Sequence, residues 1–153
     1  MSLRLTSSAF DDGEPIPERY GYERENVNPP LTVGGVPDGT KSLVLVVDDP
    51  DAEAVAGKVW DHWLVWNVDP DVSEISESWS PGQNGAIEGK NDYGELGYGG
   101  PNPSDRRHRY RVLLWALDRE LALVAGATRR ELGAAMDGHV LAETSLSGTY
   151  DPS

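Results

Sequence analysis

Three short segments of this sequence bring together side chains that could bind an anion, hold a metal ion or exchange a proton. The first is Asp49-Pro50-Asp51, where a proline holds two carboxylates in a rigid turn. Two such carboxylates can orient imidazoles, bind a cation or act in acid–base chemistry. Aspartates also cap backbone N–H groups in turns, and the tripeptide alone favours this structural role.

His62 is the second candidate, in a strand-like segment rich in tryptophan. A single histidine in a strand is more often a packed interior residue than a functional one. A carboxylate on a neighbouring strand would change this interpretation, because it would keep the imidazole protonated near neutral pH and able to face an anion.

The third segment is the loop 97–103, followed directly by His108-Arg109-Tyr110. Glycines let the backbone approach a ligand and present N–H groups as an anion-binding nest. His108 and Tyr110 lie two residues apart at a strand start, so both can point to one face. The loop is not a Walker loop, since no Gly-Lys-Ser/Thr follows, and a plain loop before an ordinary strand is the alternative.

The elements that must position these residues are mostly strands. Apolar runs and β-branched residues predict strands over 3–5, 42–47, 59–68, 109–117 and 145–150. In the second long strand, alternation places His62 on the same face as Trp60, Leu64 and Trp66. A Thr128…Glu131 capping box opens a helix that we expect to reach about residue 142. Strands before a single convincing helix favour a mainly β sandwich with peripheral helices, including one near the C-terminus.

Composition limits the function classes. The 153 residues suit one domain, 1–153, and 26 acidic against 13 basic residues give a net charge of −13. Such a charge disfavours nucleic acid and anionic membranes, and it indicates a halophilic source whose self-repulsion salt would screen. An ordinary acidic protein is the alternative. The absence of cysteine excludes thiolate chemistry. We expect a soluble cytoplasmic protein, because no secretory leader or membrane-spanning apolar run is present.

Taken together, the motifs are more specific than any one of them. Asp-Pro-Asp-Ala (49–52), Trp-Asp-His-Trp (60–63), Gly-Tyr-Gly-Gly-Pro-Asn-Pro (97–103) and His-Arg-Tyr (108–110) occur in this order. In this they resemble the phosphatidylethanolamine-binding protein family, which includes Raf kinase inhibitor protein, and most closely its small bacterial and archaeal branch.

The resemblance implies a β-sandwich of two antiparallel sheets and a pocket for phosphate-like anions. The residues that match the family's pocket are Asp49, Asp51, His62, Gly100, His108 and Tyr110, with Pro101 as the loop proline and Trp60 in the wall. The chain departs from the family at three places. Glu53 stands where the family often has proline, and Thr32 where it often has tryptophan or another large residue. Asp105-Arg106-Arg107 stand where smaller residues, often with glycine, are expected. These departures concern the pocket rim and its ligand.

We therefore expect a binding module, without a cofactor, for a small phosphorylated or carboxylate ligand. We also expect each aspartate to pair with an imidazole, so that the ligand meets cationic histidine, phenol and backbone N–H groups. The alternative is a metal-dependent or His/Asp hydrolase in the same pocket. The resemblance also permits regulation of a kinase or protease, as a monomer or a homodimer.

Overall fold

The computed structural model describes residues 2–152, so the ends of the predicted 1–153 domain lie outside the described residues. Eight strands, two α-helices and three short 3-10 turns make up the fold. The strands are β1 (Arg4–Thr6), β2 (Leu31–Gly34), β3 (Ser42–Asp49), β4 (Trp60–Val68), β5 (Glu74–Ile75), β6 (Ile87–Glu88), β7 (His108–Leu117) and β8 (Val140–Tyr150). The helices are α1 (Glu53–Ala56) and α2 (Arg129–Met136).

The strands form two antiparallel sheets. A five-stranded sheet has the order β6-β4-β3-β7-β8, and a three-stranded sheet has the order β1-β2-β5. The main apolar core lies between the sheets and joins residues such as Leu5, Leu31 and Ile75 to Leu45 and Val112. The predicted two-sheet antiparallel sandwich with short peripheral helices is confirmed.

Strand β3 lies at the centre of the larger sheet, and all eight of its residues are buried. Its alternate side chains enter two different cores. Leu45 faces the smaller sheet, whereas Val44 and Val46 pack beneath Leu132 of α2. A strand covered on both faces needs a continuous apolar run, as residues 43–47 provide.

A β-bulge in β4 makes one prediction wrong. Val47 pairs with Trp63, but the next residue, Asp48, pairs with Asp61, so β4 carries one extra residue at this point. An extra residue shifts the alternation of side chains between the faces of a strand. His62 therefore lies beside Tyr110 on the inter-sheet side, and not with Leu64 and Trp66, which pack under α2.

Helix α2 is shorter than predicted. The capping box at Thr128 and Glu131 is present, but the helix ends at Met136 and not near residue 142. Gly138, with φ of +81°, turns the chain, and β8 then runs from Val140 instead of 145. Ten residue pairs between β7 and β8 hold β8, including residues 140 and 142, in the sheet. Long-range pairing therefore outweighed the local helical pattern.

Within residues 2–152, none of the helices combines the length and apolar character needed to cross a bilayer.

Candidate ligand-binding site

A cavity of about 210 Å³ lies where β3 ends and where β4 and β7 begin, beside helix α1 and the segment 102–104. Its lining combines aromatic, apolar and polar side chains. They are Asp49, Ala52, Val55, Ala56, Trp60, His62, Tyr93, Asn102, Pro103, Ser104, His108 and Tyr110. Five of the eight residues predicted for the site therefore lie together at one cavity.

His108, the first residue of β7, contacts a carboxylate through each ring nitrogen. Its Nδ1 lies 2.6 Å from Asp49 Oδ2, and its Nε2 lies 2.7 Å from Asp105 Oδ1. Since both carboxylates can only accept hydrogen bonds when ionised, both nitrogens donate and the ring is an imidazolium. Burial opposes the charge, but the hydrogen bonds that His108 donates to Asp49 and Asp105 outweigh this effect and raise the pKa of His108.

Asp49 uses only half of its carboxylate in this contact. The residue is 3% exposed, and its Oδ1 has no hydrogen-bond partner among the described residues. A buried acceptor without a partner is costly, so it indicates a place where a donor from a ligand or a water molecule belongs. Asp49 lines the cavity, and a ligand there can supply this donor.

His62 is held in a different way. Its Nδ1 lies 2.7 Å from the carbonyl oxygen of Gly99, so Nδ1 donates a proton to it. The ring is 2% exposed, and this burial lowers the pKa of His62 despite nearby acceptors. The site therefore has one neutral and one cationic imidazole, with His62 Nε2 left as an acceptor.

Aromatic rings complete the wall around the two histidines. Tyr110 is 1% exposed and meets His62 edge-on, with ring centroids 5.3 Å apart. Burial, together with the Asp49 carboxylate, raises the pKa of Tyr110, so its phenol remains a hydrogen-bond donor. Tyr93 meets both Trp60 and His62 edge-on at 5.7 Å.

Three predicted residues do not line the cavity. Asp51 accepts the backbone N–H of Arg109 at 2.8 Å and pairs with no imidazole, so the prediction of two Asp–His pairs is wrong for this residue. The Gly100 N–H donates to Asn26 Oδ1. Pro101 is buried, and its carbonyl accepts the N–H of Tyr22.

The glycine loop therefore works differently from the expected anion nest. The Gly99 N–H donates to the carbonyl of His62, so two successive N–H groups of the loop are used inside the protein. A side-chain carbon at Gly100 would collide with the carbonyl oxygen of Tyr20, which explains the glycine by close packing. The loop orients His62 through its carbonyl groups.

Sequence reasoning missed several residues at the site. Tyr93 lies in a turn between β6 and β7, and no local pattern marked it. Asp105 was noticed only as a departure from the family pattern. Asp105 precedes His108 by only three residues, and this short spacing could have indicated a contact between the two side chains.

The opposite side of the sheet holds Asp48, the neighbour of Asp49. Asp48 is fully buried and accepts hydrogen bonds from Nε and Nη2 of Arg111, both at 2.8 Å. Arg129 of α2 reaches Asp48 at 3.1 Å and Asp61 at 2.8 Å. This ion network holds the C-terminal end of β3 on the face of the sheet opposite the cavity. It thereby positions the next residue, Asp49, whose side chain lines the cavity.

Comparison with known proteins decides the family. A family model described as phosphatidylethanolamine-binding protein matches residues 6–151 of this chain. The chain belongs to the phosphatidylethanolamine-binding protein family.

Relatives within this family extend over the whole chain. A UPF0098 protein of Methanothermobacter thermautotrophicus is 44% identical, covering 97% of this chain and 98% of its own. A UPF0098 protein of Chlamydia trachomatis is 42% identical, covering 97% and 99%.

Solved structures agree on the fold. The crystal structure of a phosphatidylethanolamine-binding protein homologue from Chlamydia trachomatis has a TM-score of 0.92 and 41% identity, covering 99% of both chains. Escherichia coli YbcL, described as a member of the mammalian family, has a TM-score of 0.90 and 28% identity, covering both chains fully. The predicted membership is therefore confirmed, and with it a ligand-binding type of domain.

A metal centre was the chemistry predicted for the alternative hydrolase. Across residues 2–152, no group of three or more histidine, aspartate or glutamate side chains is arranged to hold a metal ion. The Nδ1 atoms of His62 and His108 are both engaged in hydrogen bonds within the protein. The metal-dependent form of the hydrolase alternative therefore finds no ligand cluster among residues 2–152, whereas the His/Asp form stays a prediction.

Proposed function

We propose that the cavity binds a small phosphorylated ligand through a phosphate group that carries one proton. The observation that supports this most strongly is that one small cavity holds both hydrogen-bond donors and a buried acceptor without a partner. The imidazolium of His108 and the phenol of Tyr110 supply positive charge and a donor, whereas Asp49 Oδ1 has no hydrogen-bond partner among the described residues and can accept a hydrogen bond from the ligand.

A protonated phosphomonoester meets both needs. Its ionised oxygens accept hydrogen bonds, and its remaining P–OH group can donate to Asp49 Oδ1. The second pKa of a phosphomonoester is about 6, so this form is accessible near neutral pH. An ionised carboxylate has no proton to give and would leave the aspartate oxygen without a partner.

The size of the cavity supports the same ligand class. Pockets for drug-sized ligands occupy roughly 300–1,000 Å³. The cavity here has about 210 Å³, which suits a phosphate group with little of its substituent enclosed. Val55 and Ala56 of α1 form an apolar side of the cavity, past which a substituent can extend toward solvent.

An NMR titration with inorganic phosphate and phosphoethanolamine tests this function. We expect binding that shifts the signals of His62, His108 and Tyr110. Tyr110→Phe should weaken phosphate binding about tenfold, the usual effect of losing one hydrogen bond to a charged group. Tyr98→Phe is the matched control, because the Tyr98 phenol donates to the Tyr20 carbonyl away from the cavity.

The pH of the titration provides a second check. Binding should weaken between pH 6 and pH 8, because the P–OH group, whose pKa is about 6, loses its proton as the pH rises. If neither compound binds at millimolar concentration, or if Tyr98→Phe weakens binding as much as Tyr110→Phe does, the proposed function is wrong.

A further inference from the structure

Asp105 places a carboxylate of the protein against the outer nitrogen of the cationic histidine. The Asp105 side chain is 36% exposed, whereas His108 is 3% exposed. The aspartate therefore reaches His108 Nε2 from the solvent side, by way of the segment 104–107. Ser104 and His108 both line the cavity, so this contact lies at its wall.

We propose that Asp105 is a specificity-determining residue that acts as a tethered internal anion. It occupies His108 Nε2, and an external anion gains this nitrogen only by displacing it. This inference rests on the proposed function, since it concerns which anions the same cavity accepts.

Displacement requires few contacts to break. Besides the hydrogen bond to His108, Asp105 has an ion pair with Arg106 at 3.9 Å, and its carboxylate lies close to the backbone N–H groups of Asp105 and Arg106. Arg106 also lies 3.9 Å from Asp51, so it can keep a carboxylate partner when Asp105 moves away. The segment 104–107 is exposed and lies outside the helices and strands. Its other side-chain hydrogen bonds include one from Arg106 to the Arg107 carbonyl at 2.9 Å and one from Arg107 to Asp151 at 2.8 Å.

A tethered carboxylate competes most strongly with free carboxylates. Joining a group by a short linker gives it an effective concentration in the millimolar range or above, without any new contact. A free carboxylate offers His108 the same hydrogen bond as Asp105 and leaves Asp49 Oδ1 without a partner. At concentrations below the effective concentration of Asp105, it therefore cannot displace that side chain. A protonated phosphate adds a donor for that oxygen, and so the site selects phosphate over carboxylate.

Asp105→Ala tests this competition, with inorganic phosphate and acetate as the probes. If the tethered form occupies about nine-tenths of the molecules, its removal tightens phosphate binding by about tenfold. Acetate should bind the variant in the millimolar range, because it replaces the missing side chain, and should not bind the unaltered protein at that concentration. Asp105→Asn, which keeps the shape and removes the charge, should fall between the two.

Glu53→Gln is the control. Glu53 lies in helix α1 beside the cavity and contacts no imidazole among the described residues, so this substitution removes one negative charge without removing a contact to His108. Its phosphate affinity should stay within about twofold of the unaltered protein, as expected for a screened surface charge. Equal affinities for Asp105→Ala and Glu53→Gln, or weaker phosphate binding by Asp105→Ala, would overturn the inference.

The two proposals fail in different ways. If the unaltered protein binds phosphate but Asp105→Ala shows neither tighter phosphate binding nor acetate binding, only the role of Asp105 is wrong. If neither protein binds phosphate, the proposed function and this inference both fall.

Discussion

His62 and His108 share one cavity but are held in opposite protonation states. Burial keeps His62 neutral although the Gly99 carbonyl accepts its Nδ1 proton, whereas two carboxylates keep His108 cationic. When their environments shift the pKa values of two titratable groups in opposite directions, a site can hold both a neutral acceptor and a cation at the same pH. An identical pair of imidazoles would lack this combination.

The two histidines should make stability depend on pH from both sides. Because the pKa of His108 is raised in the folded protein, its contribution is full below the unfolded value of about 6.5 and is lost as pH rises through the folded pKa. Because the pKa of His62 is lowered, its contribution is full above about 6.5 and is lost as pH falls toward the folded pKa.

We therefore expect these two contributions together to be greatest near pH 6.5. Each tenfold difference in proton affinity between folded and unfolded states is worth about 1.4 kcal/mol. Urea unfolding of the protein, of His108→Gln and of His62→Gln across pH 5 to 9 measures this. The His108 variant should lose the alkaline decline and the His62 variant the acid decline; unchanged pH profiles in both variants would contradict the assignment.

At the scale of elements, the buried ion network joins helix α2 to the sheet behind the site. Arg129 is the only described cation that contacts Asp61, and it shares the fully buried Asp48 with Arg111. Burial raises the pKa of Asp61 even with Arg129 beside it, which shows how far this carboxylate is desolvated. Arg129 thus holds the helix and neutralises two carboxylates.

Arg129→Gln should lower the free energy of unfolding by about 3 kcal/mol, because removing one partner leaves a desolvated carboxylate poorly compensated. Chemical denaturation measures this. Arg130→Gln is a control on the next residue, which is exposed and has no ion pair among the described residues, so its effect should stay within about 0.5 kcal/mol. Similar losses in both variants would show that only helix propensity was changed.

The glycine loop gives a second prediction for an element. Gly100→Ala should destabilise the protein by about 1–3 kcal/mol or more, since its new methyl group would meet the backbone carbonyl of Tyr20. Gly133→Ala, in the exposed part of α2 with open space around it, should instead stabilise by up to about 1 kcal/mol.

Thermal unfolding of both glycine variants provides the comparison. A Gly100→Ala protein as stable as the unaltered chain would mean that the loop can move away from Tyr20, and the packing explanation would then be wrong.

For the whole molecule, the net charge of −13 is the dominant electrostatic feature. A charge of this size repels itself across the folded surface, and salt screens that repulsion because the Debye length falls to about 3 Å at 1 M. The halophilic source, the cytoplasmic location, the oligomeric state and a kinase or protease partner remain predictions.

The melting temperature should rise by several degrees between about 0.05 M and 1 M KCl, because screening then removes most of the self-repulsion. Differential scanning calorimetry at constant pH measures this. Sucrose at matched osmolality is the control, since it is excluded from protein surfaces without screening charge. A melting temperature that does not respond to KCl, or responds equally to sucrose, would contradict the halophilic interpretation.

Local patterns were sufficient for much of the architecture. The run 42–47 identified the central strand, although it continues to Asp49, and the capping box at Thr128 located the start of α2. The order of the motifs identified the family and grouped Asp49, Trp60, His62, His108 and Tyr110, which do share one cavity. The strand and the capping box depend on neighbours in the chain, whereas the grouping of the cavity residues came from the resemblance of the ordered motifs to the family.

Contacts between distant segments decided the rest. Only the pairing of β3 with β4 reveals the bulge that brings His62 to the inter-sheet face, and only pairing with β7 draws residues 140–142 into a strand. The partners of Asp51 and the Gly100 N–H come from other loops. Sequence alone therefore determined the family and the main residues of the cavity. Tertiary structure decided which imidazole carries charge and which oxygen lacks a partner, because both depend on burial and on groups far along the chain.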